Sequence, residues 1–479
     1  LHYSSFPKRL KVEVCAMAKI ISQTTFDEVV QENIVEFSMS TEEAKEETIK
    51  QFEAQGINLA NIIKDLSINE VTGKPVLNES IERLKCYITG EKQLEKSELI
   101  SNLELLQSEC KKSVPHKVLA GKNGAHEIVI TILEQKLTNA TANKDVVLAA
   151  LAAANALVNK QPDIFGAEDL AVVIKIISNQ TDVDLLCGAL QWLAKACILH
   201  EMNRQTIMEA DIMKHLKPLI AIKSPELIRD VCAVFRYLVL DDDIRVAFGK
   251  AHEHARIIAS EVIVGLTKLL KFEDITVLSD LLLTIASLAV RHEFCLAIED
   301  AGGLEYLFDI LVKFPDAIKL NREALKLIRA LAGHDTVKRH IVKKGAAPII
   351  TNILNNHKEN ESLATVALVS ISTLTLRVEE NSVAFFEASV PETIVDTMRL
   401  HPKNKVVQRN AAWAIRNMVS RSRDQCEIFL SYGAEDLLNA AMVEHPSVQQ
   451  DIKAALRDLG CKVELKEEWT GKAEKKITN

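Results

Sequence analysis

Apolar positions in this chain follow the spacing of buried helix faces. Phe26, Val29, Val30, Ile34 and Phe37 lie three and four residues apart, which puts them on one side of a helix. Thr25 with Glu28 makes a capping signature at its entrance, Ser40 with Glu43 opens a second helix, and Gly56 marks where that helix stops. Further on, Ala324, Ile328, Leu331 and Ala332 repeat as Ala367, Ile371, Leu374 and Thr375, then as Ala411, Ile415, Met418 and Val419. Small Ala at the first position lets neighbouring helices approach, and the larger residues fill the layer between them. No run of β-branched residues alternates with polar ones between hairpin turns, so the pattern predicts an all-α protein.

The helices recur as a unit. Gly124-Ala125, Gly166-Ala167, Ala210-Asp211, Ala259-Ser260, Gly302-Gly303, Gly345-Ala346, Ala388-Ser389 and Gly433-Ala434 each place a small residue before a helix-opening turn and an apolar run. Their spacings are 42, 44, 49, 43, 43, 43 and 45 residues. One such unit cannot bury its own apolar face and must stack on its neighbours, so the period predicts a solenoid of about eight repeats, each with a short first helix, a second helix and a longer third helix. The expected organisation is a leader or disordered stretch over 1–16, an acidic amphipathic segment over 17–64, and a linker over 65–80 with breakers Gly73, Lys74 and Pro75. Cap helices over 81–117, the array over 118–460 and a tail over 461–479 complete it. Met17 is expected to be the true start.

Composition agrees with helix packing. Hydrophobic residues make up 48% and aromatics only 5%, which favours layers of Leu, Ile, Val and Ala. Nine cysteines without a Cys-x-x-Cys pair read as buried thiols in a reducing compartment, cytoplasmic with the nucleus open. Lys8, Arg9 and Lys11 precede an apolar stretch, but Glu13 and Lys19 interrupt the core that a signal peptide needs. No apolar run reaches the roughly 20 residues of a membrane span. The net charge of −8 leaves no global footprint for nucleic acid or anionic lipid. Residues 17–64 are more acidic than the rest, with four Lys against nine Asp or Glu.

The segment Val407-Gln408-Arg409-Asn410-Ala411-Ala412-Trp413-Ala414-Ile415-Arg416-Asn417 resembles the third helix of armadillo repeats as seen in importin-α and β-catenin relatives. That resemblance implies a right-handed superhelical armadillo-repeat solenoid with an acidic helical N-terminal extension. Thr25 to Lys64, Asp241 to Val246, and Ala454 to Cys461 through Trp469 to Gly471 resemble one branch of the same superfamily, spanning nearly all of residues 17–471. That branch has no established enzymatic activity. In importin-α relatives a Trp and an Asn four residues later recur on successive third helices and bind an extended peptide. Here only Trp413 and Asn417 keep that pair, so transport of nuclear localisation peptides is not expected.

The same register places Arg409, Trp413, Arg416 and Asn417 on the groove side, with Arg322, Lys326 and Arg329 in an earlier repeat and Arg229, Arg236 and Tyr237 earlier still. These rows predict a locally basic groove for an extended acidic partner segment, with residues 17–64 as an alternative occupant in cis. The bland alternative is that the cations solvate a helix face. An interaction scaffold is the leading reading, and a cargo or client adaptor is the second.

The widest interval holds Asp241-Asp242-Asp243 and His252-Glu253-His254. Histidines two apart point to opposite sides of a helix, which argues against a metal site. The aspartates are expected to cap a helix and the histidines to lie in a solvent-facing loop. His-x-His with small flanking residues also resembles the substrate pattern of a histidine N-methyltransferase, which implies modification at His254 or His252. Phosphate-binding glycine loops, nucleophile elbows and His-Glu-x-x-His are missing, since His200-Glu201 and His292-Glu293 lack the second His. Arg204 and Asn203 read as packing residues. No cofactor and no enzymatic activity are expected, and the partners are expected to be proteins.

Overall fold

The computed structural model describes residues 19–64, 67, 72 and 75–463. Among them, helices and turns account for the architecture, with one isolated parallel bridge between Lys19 and Ile57. The leader, the breakers Gly73 and Lys74, and Trp469 to Gly471 lie outside the described residues. Two compact units are present: Leu1–Ile207 with Asp242–Ile244, and Met208–Asp241 with Arg245–Asn479.

The first unit opens with a helical hairpin, α1 (Gln23–Phe37) and α2 (Thr41–Ala54). Phe26, Val30, Ala44, Phe52, Leu59 and Ile62 form a small core of their own. Inside it, Asn33 Nδ2 donates to Thr48 Oγ1 at 2.9 Å, and that hydroxyl donates to the Ala44 carbonyl at 2.7 Å. The Ser40/Glu43 capping box is present, and Gly56 takes φ +70° just beyond α2. The Thr25/Glu28 box is not: Ser22 is the cap, accepting from Thr25 N at 3.1 Å, because the helix starts one turn earlier than the apolar pattern suggests.

Two further helices, α3 (Val76–Ile88) and α4 (Lys96–Lys112), stack on the first full repeat as a second and third helix would. Val76 to Ser80, assigned to the linker by the sequence, are therefore helical. The first repeat comprises α5 (Val114–Lys122), α6 (Ala125–Leu137) and α7 (Lys144–Val158), and the next comprises a 3-10 turn at Pro162–Ile164, α8 (Ala167–Asn179) and α9 (Val183–Cys197). The third repeat begins with α10 (Glu201–Glu209).

In the second unit the third repeat continues with α11 (Met213–Leu216) and α12 (Pro225–Leu238), and the fourth has α13 (Ala251–Lys268) and α14 (Ile275–Leu288). Then come α15 (His292–Asp300), α16 (Gly303–Lys313) and α17 (Ile318–Leu331), followed by α18 (Asp335–Lys343), α19 (Ala346–Asn356) and α20 (Glu361–Thr375). The last two repeats are α21 (Glu379–Glu387), α22 (Val390–Leu400) and α23 (Lys405–Val419), and α24 (Cys426–Ser431), α25 (Ala434–Glu444) and α26 (Gln449–Asp458). The third helices α12, α14, α17, α20, α23 and α26 pack in series. All twelve registered positions from Ala324 to Val419 are buried.

The turn before the second helix uses a left-handed residue in most repeats, Gly166 at φ −120° being extended instead. Gly345 supplies it at φ +96° and Gly433 at φ +85°, while Asp211 and Ser389 adopt it at φ 53° and 59° despite their Cβ atoms. Ala259 and Ser260 supply no such turn. They lie inside α13, which runs 18 residues without a break, and residues 241–250 replace the first helix of that repeat. The 49-residue interval thus records an altered repeat, with an extended second helix after a loop. A hydrogen-bond ladder shows the period directly: His357, His401 and His445, each ending a second helix, donate from Nε2 to the carbonyls of Pro315, Lys358 and Pro402 at 2.8, 2.6 and 2.8 Å.

Candidate partner-binding face

The third helices of the second unit carry the predicted rows on their open side. Arg409, Trp413, Arg416 and Asn417 are half-buried on α23, Arg322 and Lys326 are half-buried on α17 with Arg329 exposed, and Arg229, Arg236 and Tyr237 lie on α12. Between α17 and α23, α20 presents the uncharged Thr365, Val369 and Thr373, with Leu376 just beyond its end.

Most of these cations already have carboxylate partners. Glu323 is 3% exposed, and Arg322 and Lys326 both donate to it at 3.0 Å. Asp280 on α14 takes Arg229 Nε at 2.9 Å and Arg236 Nη2 at 3.0 Å, while Arg236 Nη1 donates to the Asp280 carbonyl and to Thr284 Oγ1. The Asp280 carboxylate holds the Arg229 guanidinium above its ordinary value. Asp458 on α26 accepts from Arg416 and Arg457. Glu323 is buried and Asp280 and Asp458 are half-buried, and a carboxylate withdrawn from water needs such partners, so these rows are in part counter-ions of the fold.

Two cations differ. Arg409 pairs with no carboxylate among the described residues; its guanidinium lies 4.7 Å from the Trp413 ring centroid and its Nε is buried without a hydrogen bond. Arg329 is exposed and likewise has no carboxylate partner among the described residues. Asn417 is engaged on its donor side, since Nδ2 bonds the Ser372 carbonyl and hydroxyl at 2.9 Å each. With its amide nitrogen so engaged, it cannot donate to a peptide in the importin manner without breaking that contact.

The remaining candidates resolve differently. Asp242 and Asp243 do cap a helix, but one some 42 residues earlier: they accept from Leu199 N at 3.1 Å and Glu201 N at 2.9 Å at the start of α10. Arg204 is 1% exposed and donates to Glu201, Asp242 and the Cys197 carbonyl. Asn203 is buried and bonds the carbonyls of Pro162 and Ala196. His252 and His254 are not in a loop; both sit in the first turns of α13, where His252 is exposed and His254 is 2% exposed with Nδ1 on the Leu238 carbonyl at 3.1 Å. A helix start there buries the second histidine, which the sequence spacing alone did not reveal. Among the described residues no group of three His, Cys, Asp or Glu could hold a metal. Burial pushes the thiols of Cys197 and Cys232 up to about 12, so neither is a nucleophile near neutral pH. No described helix is long and apolar enough to cross a membrane.

The family model ARMC6 matches residues 77–478, and the model described as the armadillo repeat-containing protein 6 N-terminal domain matches residues 18–84. The chain belongs to the armadillo repeat-containing protein 6 family. It is 60% identical to the armadillo repeat-containing protein 6 homolog of Drosophila melanogaster, over 96% of this chain and 100% of that one. The human armadillo repeat-containing protein 6 is 33% identical over 95% of this chain and 93% of its own length. An engineered protein of known crystal structure aligns with 80% of this chain and 100% of its own at a TM-score of 0.58, and at 16% identity it speaks to the fold alone. The two family models meet in α3, where hairpin and repeats join.

Proposed function

We propose that this chain is a non-enzymatic interaction scaffold whose third-helix face holds an extended acidic segment of a protein partner. The observation that carries the reading is the cluster of arginines and lysines on α12, α17 and α23, placed on the helices that solenoids use for binding. Guanidinium forks meet carboxylates with two parallel donors, and an extended segment can follow successive repeats. Transport or chaperoning of a client is the second reading, and it uses the same face.

Reversing the charge of Arg322, Lys326 and Arg329 should abolish recovery of a defined acidic partner in a pull-down; unchanged recovery would end the proposal. The acidic hairpin is the competing occupant in cis. Replacing the exposed Glu42 and Glu46 of α2 with Gln should tighten partner binding several-fold if the hairpin competes, and leave the Kd unchanged if it does not. Methylation is proposed at His252 or His254, with His252 the accessible imidazole of the folded chain; mass spectrometry of the peptide spanning Lys250 to Arg256 decides it.

A further inference from the structure

We infer that the partner segment carries two carboxylates about six or seven residues apart, with apolar residues between them, and that Arg329 and Arg409 are the cations that read them. This rests on the binding reading above and narrows it to two contact points and a spacing.

The argument begins with which charges are available. An arginine already bonded to a buried carboxylate presents a dipole to an arriving anion, and its field falls off faster than that of a free cation. Glu323 serves Arg322 and Lys326 in this way, Asp280 serves Arg229 and Arg236, and Asp458 serves Arg416. Arg236 has also placed Nη1 on the Asp280 carbonyl and Thr284. Drawing Arg322 or Lys326 toward a ligand would leave the buried Glu323 less well satisfied, and drawing the others would strip the half-buried Asp280 or Asp458 of part of its pairing, which offsets the gain. Arg329 and Arg409 carry no such cost.

Arg409 is also pre-organised. Its stack on Trp413 fixes the plane of the guanidinium before a ligand arrives, which lowers the ordering entropy of binding. The open side of Trp413 and the α20 row of Val369 and Thr373, with Leu376 just beyond its end, lie beside it, and Leu376 is 40% exposed. The charged residues nearest that row, Glu361 and Arg377, lie at its two ends, so the stretch between the two arginines suits apolar side chains.

The spacing follows from helix packing. α17 contacts α20 and α20 contacts α23, and packed helix axes stand about 8–10 Å apart. Two steps therefore cover roughly 16–20 Å across the helices, and in the shared register Arg329 is level with Arg416, seven residues or about 10 Å along the axis from Arg409. The two guanidinium groups thus stand roughly 19–23 Å apart, and an extended chain advancing about 3.3 Å per residue needs about six or seven residues from one carboxylate to the other.

The test uses the full chain and a fluorescein-labelled Glu-Leu-Ser-Leu-Ser-Leu-Glu peptide, with binding read by anisotropy. Arg329→Gln and Arg409→Gln should each weaken binding about tenfold, whereas Arg229→Gln and Arg322→Gln should change it less than threefold. A peptide with its glutamates three residues apart should bind about tenfold more weakly than the probe. Equal losses at all four arginines, or indifference to spacing, would overturn this inference while leaving an acidic-segment scaffold in place. No saturable binding up to about 1 mM, a contact worth roughly 4 kcal/mol, would overturn both.

Discussion

Replacing Arg204 with Met should be among the most damaging single changes in the first unit, although Arg204 lies on a short helix and contacts no proposed partner. Its side chain is 1% exposed, with Nε on Glu201 Oε2 at 2.9 Å and Nη1 on the Cys197 carbonyl at 2.7 Å and Asp242 Oδ1 at 2.6 Å. Glu201 is itself 1% exposed. Met fills similar volume, so little of the loss comes from a cavity. The loss comes from leaving the Glu201 carboxylate without its cation, for which breaking a buried pair costs about 3–5 kcal/mol. It also frees Asp242, which shares the capping of α10 and is 27% exposed, so water recovers part of that term. Removing both charges should restore much of the loss: Glu201→Gln with Arg204→Met should be less destabilised than Arg204→Met alone by about 1–2 kcal/mol. Native-state hydrogen exchange across α9 and α10 is the suitable assay, because it reads the local opening free energy without assuming one transition for a chain of two units. A loss under about 1 kcal/mol for the single variant, or a double variant at the sum of the two singles, would refute the reasoning.

Gly303→Ala should destabilise more than Gly345→Ala in thermal melts, although both glycines open second helices. A Cβ at Gly303 would lie 2.5 Å from Ile298 Cγ2 and 2.6 Å from its carbonyl, whereas at Gly345 nothing lies within 4 Å and the cost, about 1–2 kcal/mol, comes only from φ +96°. In alkylation at pH 8 followed by mass spectrometry, Cys197 and Cys232 should stay unlabelled until the chain is unfolded, because burial holds both thiols at about 12; early labelling would show that their repeats open readily. Lys144 bonds Asp182 and Asp184, and its hydrogen bond is the main cause of the lowered Asp182 carboxyl. A depressed carboxyl contributes above its ordinary value and loses that contribution as pH falls through the folded one. The difference in Tm between the native chain and Lys144→Met should accordingly be present at pH 7 and fade below the usual carboxylate range; a difference unchanged at pH 2 would exclude the ion pair as its source.

The repeat itself is legible in the sequence. The third-helix register from Ala324 to Val419 is local information, since which side chains are apolar at spacing three and four determines which face must be covered. The left-handed turns at Gly345 and Gly433 were legible for the same reason: only the backbone and its own Cβ decide them. The turn placed at Ala259 and Ser260 failed because two small residues permit a turn without requiring one, and the helix beginning at Ala251 had continuous apolar positions through Ile263 to bury. His254 was misplaced with it.

The candidate face divides along the same line. Its rows could be read from helical spacing, because residues four apart share a side of any helix. Which of those cations are free could not: Arg322 and Lys326 share Glu323 of their own helix, but the partners of Arg229, Arg236 and Arg416, Asp280 and Asp458, come from the next repeat, 44 to 51 and 42 residues along the chain. The histidine ladder from His357 to His445 and the capping of α10 by Asp242 and Asp243 were hidden for that reason as well. Sequence alone determined the repeat, its buried face and the side that carries charge, since each depends on contacts within a few turns. Only tertiary structure decided which charges are already neutralised, because stacking brings together groups about one repeat apart and a buried carboxylate takes whatever cation that stacking supplies.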